Sequence, residues 1–161
     1  MRQNHNIGNL FNQDSKILIL GSFPSVKSRE QGFFYGHPQN RFWKVLSAIL
    51  CEPLPETIDE KRIMLIKNNI ALWDVIASCD ILGSSDSSIK NVKPNDISVI
   101  LDTADIKAIF TNGKASYNLY NKYIFPKTNI NPIYLPSTSP ANAAFSLERL
   151  INEWKIIKKY L

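Results

Sequence analysis

Four short apolar segments constrain the fold of this chain more than any other feature. They run Lys16 to Ser22, Ile70 to Ile76, Ile106 to Asn112 and Ile130 to Ser137, each rich in Ile, Leu or Val. None alternates strictly between apolar and polar residues. A strand wetted on one face alternates, whereas a strand covered on both faces does not, so all four read as doubly covered strands. Helical patterns lie between them. Arg41 to Cys51 sets Phe42, Val45, Leu46 and Ile49 on one face, and Thr57 to Asn68, Asn95 to Thr103 (behind Pro94) and Lys114 to Tyr123 are further candidates. The last segment, Leu147 to Leu161, repeats Leu147, Leu150, Ile151, Trp154, Ile157 and Leu161 at helical spacing. Strands alternating with helices predict an α/β fold with right-handed crossovers. The expectation is a single three-layer α/β/α domain over residues 1–161, around a central, mainly parallel four-stranded sheet.

Composition narrows the function classes. A hydrophobic content of 44% with 20% charged residues argues against disorder. No run of about 18 apolar residues exists to span a membrane, and the opening MRQNHNIGNLFNQD lacks the apolar stretch of a secretory signal. An intracellular, cytoplasmic protein is expected. Cys51 and Cys79 lie far apart without CxxC spacing, which disfavours a disulfide or zinc site and rules out four-thiolate iron–sulfur ligation from this chain alone. They read as buried structural thiols. With only His5 and His37, a multi-histidine metal centre is also disfavoured, and the chemistry is expected to need no metal. The net charge of +5 permits a polyanionic partner without demonstrating one. Lys155, Lys158 and Lys159 fit a solvated face of the last helix.

In a parallel sheet the carboxyl ends of the strands share one edge, and ligands bind there. Three strand ends carry the polar loops GSFPS, TNGK and STSPANA, and the fourth leads into SCDILGSSDSSIK. In the first loop, Gly21 permits a sharp turn, Ser22 and Phe23 offer main-chain N–H groups, and Pro24 fixes the next turn of the chain. Such a nest can hold a carbonyl oxygen or an anion, although an ordinary strand–helix turn looks the same locally. Its spacing is neither Walker A nor GxGxxG. Phe23, Phe33, Phe34 and Tyr35 fit either core or the wall of an aromatic pocket, with Tyr35 best suited to a wall because its hydroxyl can stay wet. Asn40 stands where a helix N-cap belongs. Asp74 ends its strand, where it could cap a turn. Asn112-Gly113-Lys114 opens a helix whose N–H groups, with the Lys114 cation, could bind phosphate. Asp86 and its neighbouring serines form a polar loop, Gly83 to Ile89, to which the sequence assigns no role.

The stretch ILILGSFPSVKSREQGFFYGHPQNRFWKVL, Ile17 to Leu46, resembles the first motif of the uracil-DNA glycosylase superfamily. That superfamily carries a GINPG- or GxDPY-like loop here, followed in its mismatch-specific branch by a GNRFWKVL-like segment. The likeness is closest to the hypoxanthine (deoxyinosine) branch, whose loop reads GSFP and whose follow-on reads HPxNRFW. Ser137 to Ala143, STSPANA, resembles the HPSPLS- or NPSGLS-like second motif, with LWDVI and NGKASY as ordered support between. The resemblance spans Ile17 to about Asn142.

The resemblance implies a monofunctional DNA glycosylase that flips out a deaminated base, hypoxanthine first, and leaves an abasic site. A uracil (mismatch) glycosylase on the same fold is the alternative, and a non-catalytic damaged-DNA-binding module is the reading from another class. The implied catalytic residue is Asn40. Gly21, Ser22, Phe23, Pro24, Tyr35, Asp74 and Asn112 are implied at the base, with Phe23 stacking on it for about 1–3 kcal/mol. Lys114, Ser137, Ser139, Pro140, Ala141 and Asn142 are implied at the DNA backbone. Three positions depart from the wider pattern. Phe23 replaces the catalytic Asn of the GINPG loop, Ser137 replaces a His or Asn, and Ala141 replaces a bulky wedge. No lysine is placed by motif as a Schiff-base nucleophile. The implied partner is DNA containing a deaminated base, met by a nucleoid-associated monomer with no cofactor, metal or iron–sulfur cluster.

Overall fold

The computed structural model describes residues 1–161. Its central sheet contains β2 (Ile17–Gly21), β3 (Ile70–Asp74), β6 (Ala108–Asn112) and β7 (Ile133–Leu135), in the order β3-β2-β6-β7. All three pairings are parallel, with Ile17 opposite both Ile70 and Ala108 and with Gly21 opposite Asp74. β2, β3 and β6 are covered on both faces as the apolar runs predict, but the fourth run is corrected: β7 spans only Ile133–Leu135 at the sheet edge, with Tyr134 exposed. Side chains alternate across β2: Ile17 and Ile19 enter one core, Leu18 and Leu20 the other, and all four are fully buried.

Helices cover each face. On the Ile17/Ile19 side pack α2 (Phe42–Leu50), α3 (Ile58–Lys67) and α7 (Leu147–Trp154), through Phe42, Leu46, Leu65, Leu150 and Trp154. Trp154 also donates its indole N–H to the Pro136 carbonyl at 2.9 Å, which satisfies the one polar atom of a fully buried ring. On the other side lie α4 (Ser98–Thr103), α5 (Lys114–Tyr123) and α6 (Phe125–Thr128), with Ile100 of α4, Tyr120 of α5 and Ile124 of the α5–α6 junction in the core. Helix α3 starts on the capping box formed by Thr57 and Glu60. The final segment is helical only to Trp154; Lys155–Tyr160 tightens into a 3-10 turn. Lys155, Lys158 and Lys159 are exposed there, as expected. No helix is long and apolar enough to cross a membrane.

A second sheet was not legible in the apolar pattern. It joins β1 (Arg2–Asn4), β4 (Ile76–Asp80) and β5 (Lys90–Pro94) antiparallel, in the order β1-β4-β5. The expected strand from Ile70 to Ile76 therefore breaks at Val75. Up to Asp74 it belongs to the parallel sheet, and from Ile76 it belongs to the antiparallel one. Asn95 holds this junction, donating its amide to the carbonyls of Asp74 at 2.9 Å and Ile76 at 3.1 Å. That use of Asn95 explains why α4 begins at Ser98 instead of Asn95, and Pro94 closes β5 rather than opening a helix. A short helix, α1 (Val26–Gln31), was also unforeseen, since its six residues carry no apolar stripe. Cys79 is buried, but Cys51 is exposed at the left-handed C-cap of α2, which corrects its expected burial.

Candidate active site

A cavity of about 350 Å³ opens at the carboxyl edge of the parallel sheet. Its lining includes Gly21, Ser22, Phe23 and Pro24 from the first loop, Tyr35 and Asn40 from the segment before α2, and Asp74 and Asn112 from the ends of β3 and β6. The second-motif loop adds Ser137, Ser139, Pro140 and Ala141. Of the residues the resemblance implies at the base or the DNA backbone, Lys114 and Asn142 alone lie off the lining. Lys114 is exposed at the start of α5, and Asn142 braces its own loop by donating to the Ser137 carbonyl at 3.0 Å.

Gly21 and Asp74 form the floor. They face each other across the β2–β3 pairing, and a Cβ on Gly21 would stand 2.4 Å from Asp74 Oδ1 and 3.0 Å from the Tyr35 hydroxyl oxygen. Only glycine lets that carboxylate and phenol approach the strand end. Asp74 is no turn cap. Its side chain is 5% exposed, and Oδ2 receives a hydrogen bond from His5 Nε2 at 2.8 Å. Val75 and Ile76 donate their N–H groups to the carbonyls of Gly21 and Ser22, pinning the first loop to the β3–β4 junction. The N–H groups of Ser22 and Phe23 have no acceptor within the protein.

The aromatic residues divide. Phe33 and Phe34 are buried in the core, Phe34 reaching the cavity lining as well. Phe23 lines the cavity half-buried, with the Arg29 guanidinium over its ring at 5.4 Å and the His5 ring meeting it edge-on at 5.9 Å. Tyr35 holds a left-handed backbone, φ 50°. Its ring stacks on Phe42 at 4.0 Å, and Trp43 donates its indole N–H to the Tyr35 carbonyl at 3.2 Å, two contacts that over-determine this strained conformation. The expectation that its hydroxyl stays wet is corrected. The phenol oxygen is buried without a hydrogen-bond partner. Burial first, then the nearby Asp74 carboxylate, pushes its pKa far above the ordinary tyrosine value, an effect the Asn112 amide only partly opposes. Tyr35 is a neutral hydroxyl at any physiological pH.

The expected helix cap at Asn40 is corrected: Arg41 is the N-cap of α2, and Asn40 stands one residue before it, closing a turn onto the first helical residue. Its Oδ1 accepts from the Phe42 N–H at 3.0 Å and from the Thr138 hydroxyl at 2.9 Å. Because Phe42 N–H is a fixed donor, the amide orientation is assigned, and both Oδ1 lone pairs are used. The NH2 group forms no bond within the protein. Thr138, fully buried, exchanges two further bonds with Asn112: the Asn112 amide donates to its hydroxyl at 3.0 Å, and its N–H donates to Asn112 Oδ1 at 3.1 Å. Asn112 thus lines the cavity while its carboxamide is committed to Thr138. Arg41 completes the tie between the motifs, its guanidinium donating to the carbonyls of Ser139 at 2.9 Å, Asn142 at 3.0 Å and Phe145. Within the loop, Ser137 and Ser139 hydroxyls accept the N–H groups of Ser139 and Ala141, each at 3.1 Å. Gly113 sits against it at φ 97°, where a Cβ would stand 3.0 Å from Ser137 Cβ.

The unassigned polar loop closes one side of the mouth. Ser22 donates its hydroxyl to Asp86 at 2.9 Å, Val26 N–H donates to the Ser84 hydroxyl at 2.9 Å, and Arg29 donates to the Gly83 carbonyl at 2.8 Å. Asp86 as a residue is exposed, yet its carboxyl lines the cavity and is crowded there. Loss of solvent around the carboxyl raises its pKa, the Ser22 bond opposes the rise, and the Asp74 charge adds to it. Three site residues escaped the sequence reading. Thr138 and Arg41 were detectable, since they stand inside the quoted motifs. His5 carried no signal, because only the pairing of β1 with β4 brings it to Asp74.

Fold and cavity define an open-sheet α/β protein whose ligand site lies beyond the carboxyl ends of its strands. A model of the Uracil DNA glycosylase superfamily matches residues 9–159, and the chain belongs to that superfamily, whose substrate class is DNA. A hypoxanthine DNA glycosylase of Methanosarcina acetivorans is 32% identical over 155 residues, 94% of this chain and 95% of the relative. One from Methanosarcina barkeri is 37% identical over 109 residues, 66% of this chain and 69% of the relative. A solution NMR structure from Methanosarcina acetivorans, provisionally described as a uracil DNA glycosylase, superposes with a TM-score of 0.82 at 30% identity. The match covers 98% of this chain and 96% of that one.

Proposed function

We propose that this chain hydrolyses the N-glycosyl bond of deoxyinosine in DNA, releasing hypoxanthine and leaving an abasic site, a reading supported by its likeness to two hypoxanthine DNA glycosylases. Residues 1–161 act as one glycosylase domain, a monomer working inside the cell on nucleoid DNA. The reading is supported by one cavity lined by Asp74, a residue with an acceptor carboxylate, and by Ser22 and Phe23, whose N–H groups are unpaired. Those groups complement the edge of a 6-oxopurine.

The target nucleotide leaves the duplex at a cost of a few kcal/mol and enters the cavity. Phe23 stacks on the base, with Pro24 and Tyr35 as walls. Asp74 Oδ1 accepts from purine N1–H, and the Ser22 and Phe23 N–H groups donate to O6. Adenine offers an amine and a bare N1 instead, so each mismatched buried group costs about 1–3 kcal/mol. As the bond breaks, negative charge grows on the base and positive charge on the sugar. Main-chain donors in a loop tied down by the Val75 and Ile76 N–H bonds stabilise the former without reorganising. Asn40 directs its free NH2 at the attacking water, a positioning role that needs no titrating group. Asn112 acts through Thr138 to hold Asn40 while lining the base site. Lys114, Ser137, Ser139, Pro140, Ala141 and Asn142 meet the phosphates flanking the flipped nucleotide, on a turn that Arg41 keeps rigid.

Uracil presents a similar carbonyl and N–H edge and serves as a lesser substrate. Release of free base from otherwise identical duplexes carrying deoxyinosine, deoxyuridine or deoxyadenosine tests the proposal. Hypoxanthine is expected to leave fastest and adenine not at all. Faster loss of uracil would favour the mismatch reading, and tight salt-sensitive binding without any base release would favour a binding module.

A further inference from the structure

The N-terminal strand supplies a residue that none of the motifs contains. β1 pairs antiparallel with β4, Asn4 opposite Ser78, and the ladder continues as His5 N–H donates to the Ala77 carbonyl at 2.7 Å. Main-chain pairing thus delivers His5 beside the end of β3. Its ring is 4% exposed and is boxed by Phe23, Phe34 and Trp73, with centroids at 5.9, 6.2 and 6.4 Å.

The hydrogen bonds assign its proton. Ile7 N–H donates to His5 Nδ1 at 3.2 Å, so Nδ1 is the bare nitrogen and Nε2 carries hydrogen. Nε2 lies 2.8 Å from Asp74 Oδ2 and donates to it. We infer that His5 is a positioning residue for base recognition: by holding Asp74 Oδ2 it stops the carboxylate from turning and presents Oδ1, beside Gly21, as the fixed acceptor for the N–H of the flipped base.

This rests on the reading of Asp74 as the group that meets the base. A carboxylate anchored at one oxygen offers the other at a set place, and placement within a few tenths of an ångström separates a productive site from a loose one. Among the side chains around Asp74, the Tyr35 phenol makes no hydrogen bond to it and Asp86 is itself a carboxylate, so His5 alone anchors it. The His5 ring also touches Phe23, so one residue sets both the stacking wall and the reading edge.

The test compares wild type with His5→Gln, which keeps an N–H donor, and His5→Phe, which keeps the aromatic packing and loses the donor. On deoxyinosine duplex under multiple turnover, His5→Phe is expected to raise KM about tenfold with a smaller change in kcat, the signature of lost binding common to ground and transition states. Its preference for deoxyinosine over deoxyadenosine should fall, and His5→Gln should recover most of both. Wild-type KM and selectivity in a folded His5→Phe variant would overturn the inference, as would equal damage in both variants, which marks a packing role. Should His5→Phe fail to fold, imidazole 15N NMR of wild type decides: Nε2–H with a shift on adding free hypoxanthine is expected, and Nδ1–H or an unmoved Nε2 overturns it. A wild type that releases no hypoxanthine removes the functional reading and this inference together, whereas an active wild type with an indifferent His5 removes this inference alone.

Discussion

The Thr138 hydroxyl donates to the Asn40 carboxamide oxygen at 2.9 Å, joining two motifs that lie 98 residues apart in the chain. With the Phe42 N–H on the same oxygen, this bond orients the Asn40 amide so that its NH2 is the end left for chemistry. The bonds that hold the turn before α2 and the proposed catalytic role therefore fall to opposite ends of one side chain.

That division gives a sharp expectation for two substitutions. Asn40→Asp keeps the acceptor for Phe42 and Thr138 and should leave stability within about 1 kcal/mol of wild type, whereas Asn40→Ala should cost about 0.5–2 kcal/mol. Both lack the NH2 group, and both should lose turnover on deoxyinosine by 100-fold or more, an order-of-magnitude figure for a misplaced nucleophile. Thermal melts paired with single-turnover rates check this. An active Asn40→Asp variant would reduce Asn40 to holding that turn.

Gly21→Ala puts a methyl 2.4 Å from Asp74 Oδ1. Either the carboxylate or the strand end must move, at about 1–3 kcal/mol. Base release is expected to fall about 100-fold while the protein still folds. Near-normal release would show that the Asp74 position is not critical.

The Tyr35 hydroxyl is buried and unpaired, so Tyr35→Phe removes a desolvated polar group without disturbing the ring stacked on Phe42. Stability should rise by about 1 kcal/mol. Chemical denaturation measures it, and a loss of stability would mean that the hydroxyl has a partner in solution.

No lysine reaches the cavity lining, and Lys114 is turned out at the start of α5. Borohydride added during turnover should therefore trap no covalent protein–DNA adduct. A trapped adduct abolished by one lysine substitution would establish a Schiff-base route instead.

Much of this architecture was legible because burial writes itself into composition. Ile17 to Gly21 is covered on both faces and is apolar throughout, and the same logic found β3, β6 and β7. The antiparallel sheet was illegible for the converse reason. Arg2–Asn4 and Lys90–Pro94 are short and polar, stabilised by main-chain pairing that any side chain permits. β4 was hidden by following β3 after a single residue, Val75. Asn40 and Asp74 stood out as polar groups at element ends, but their bonding depends on partners distant in the chain. His5 illustrates the limit: a histidine in a polar N-terminal stretch acquires meaning only when β1 docks on β4.

The most direct test is the structure of Asn40→Asp bound to a duplex containing one deoxyinosine. The account predicts the purine extruded into the cavity against Phe23, with N1 within hydrogen-bond distance of Asp74 Oδ1 and O6 facing the Ser22 and Phe23 N–H groups. A complex in which hypoxanthine remains stacked in the duplex, or docks away from Asp74 with the cavity vacant, would contradict it.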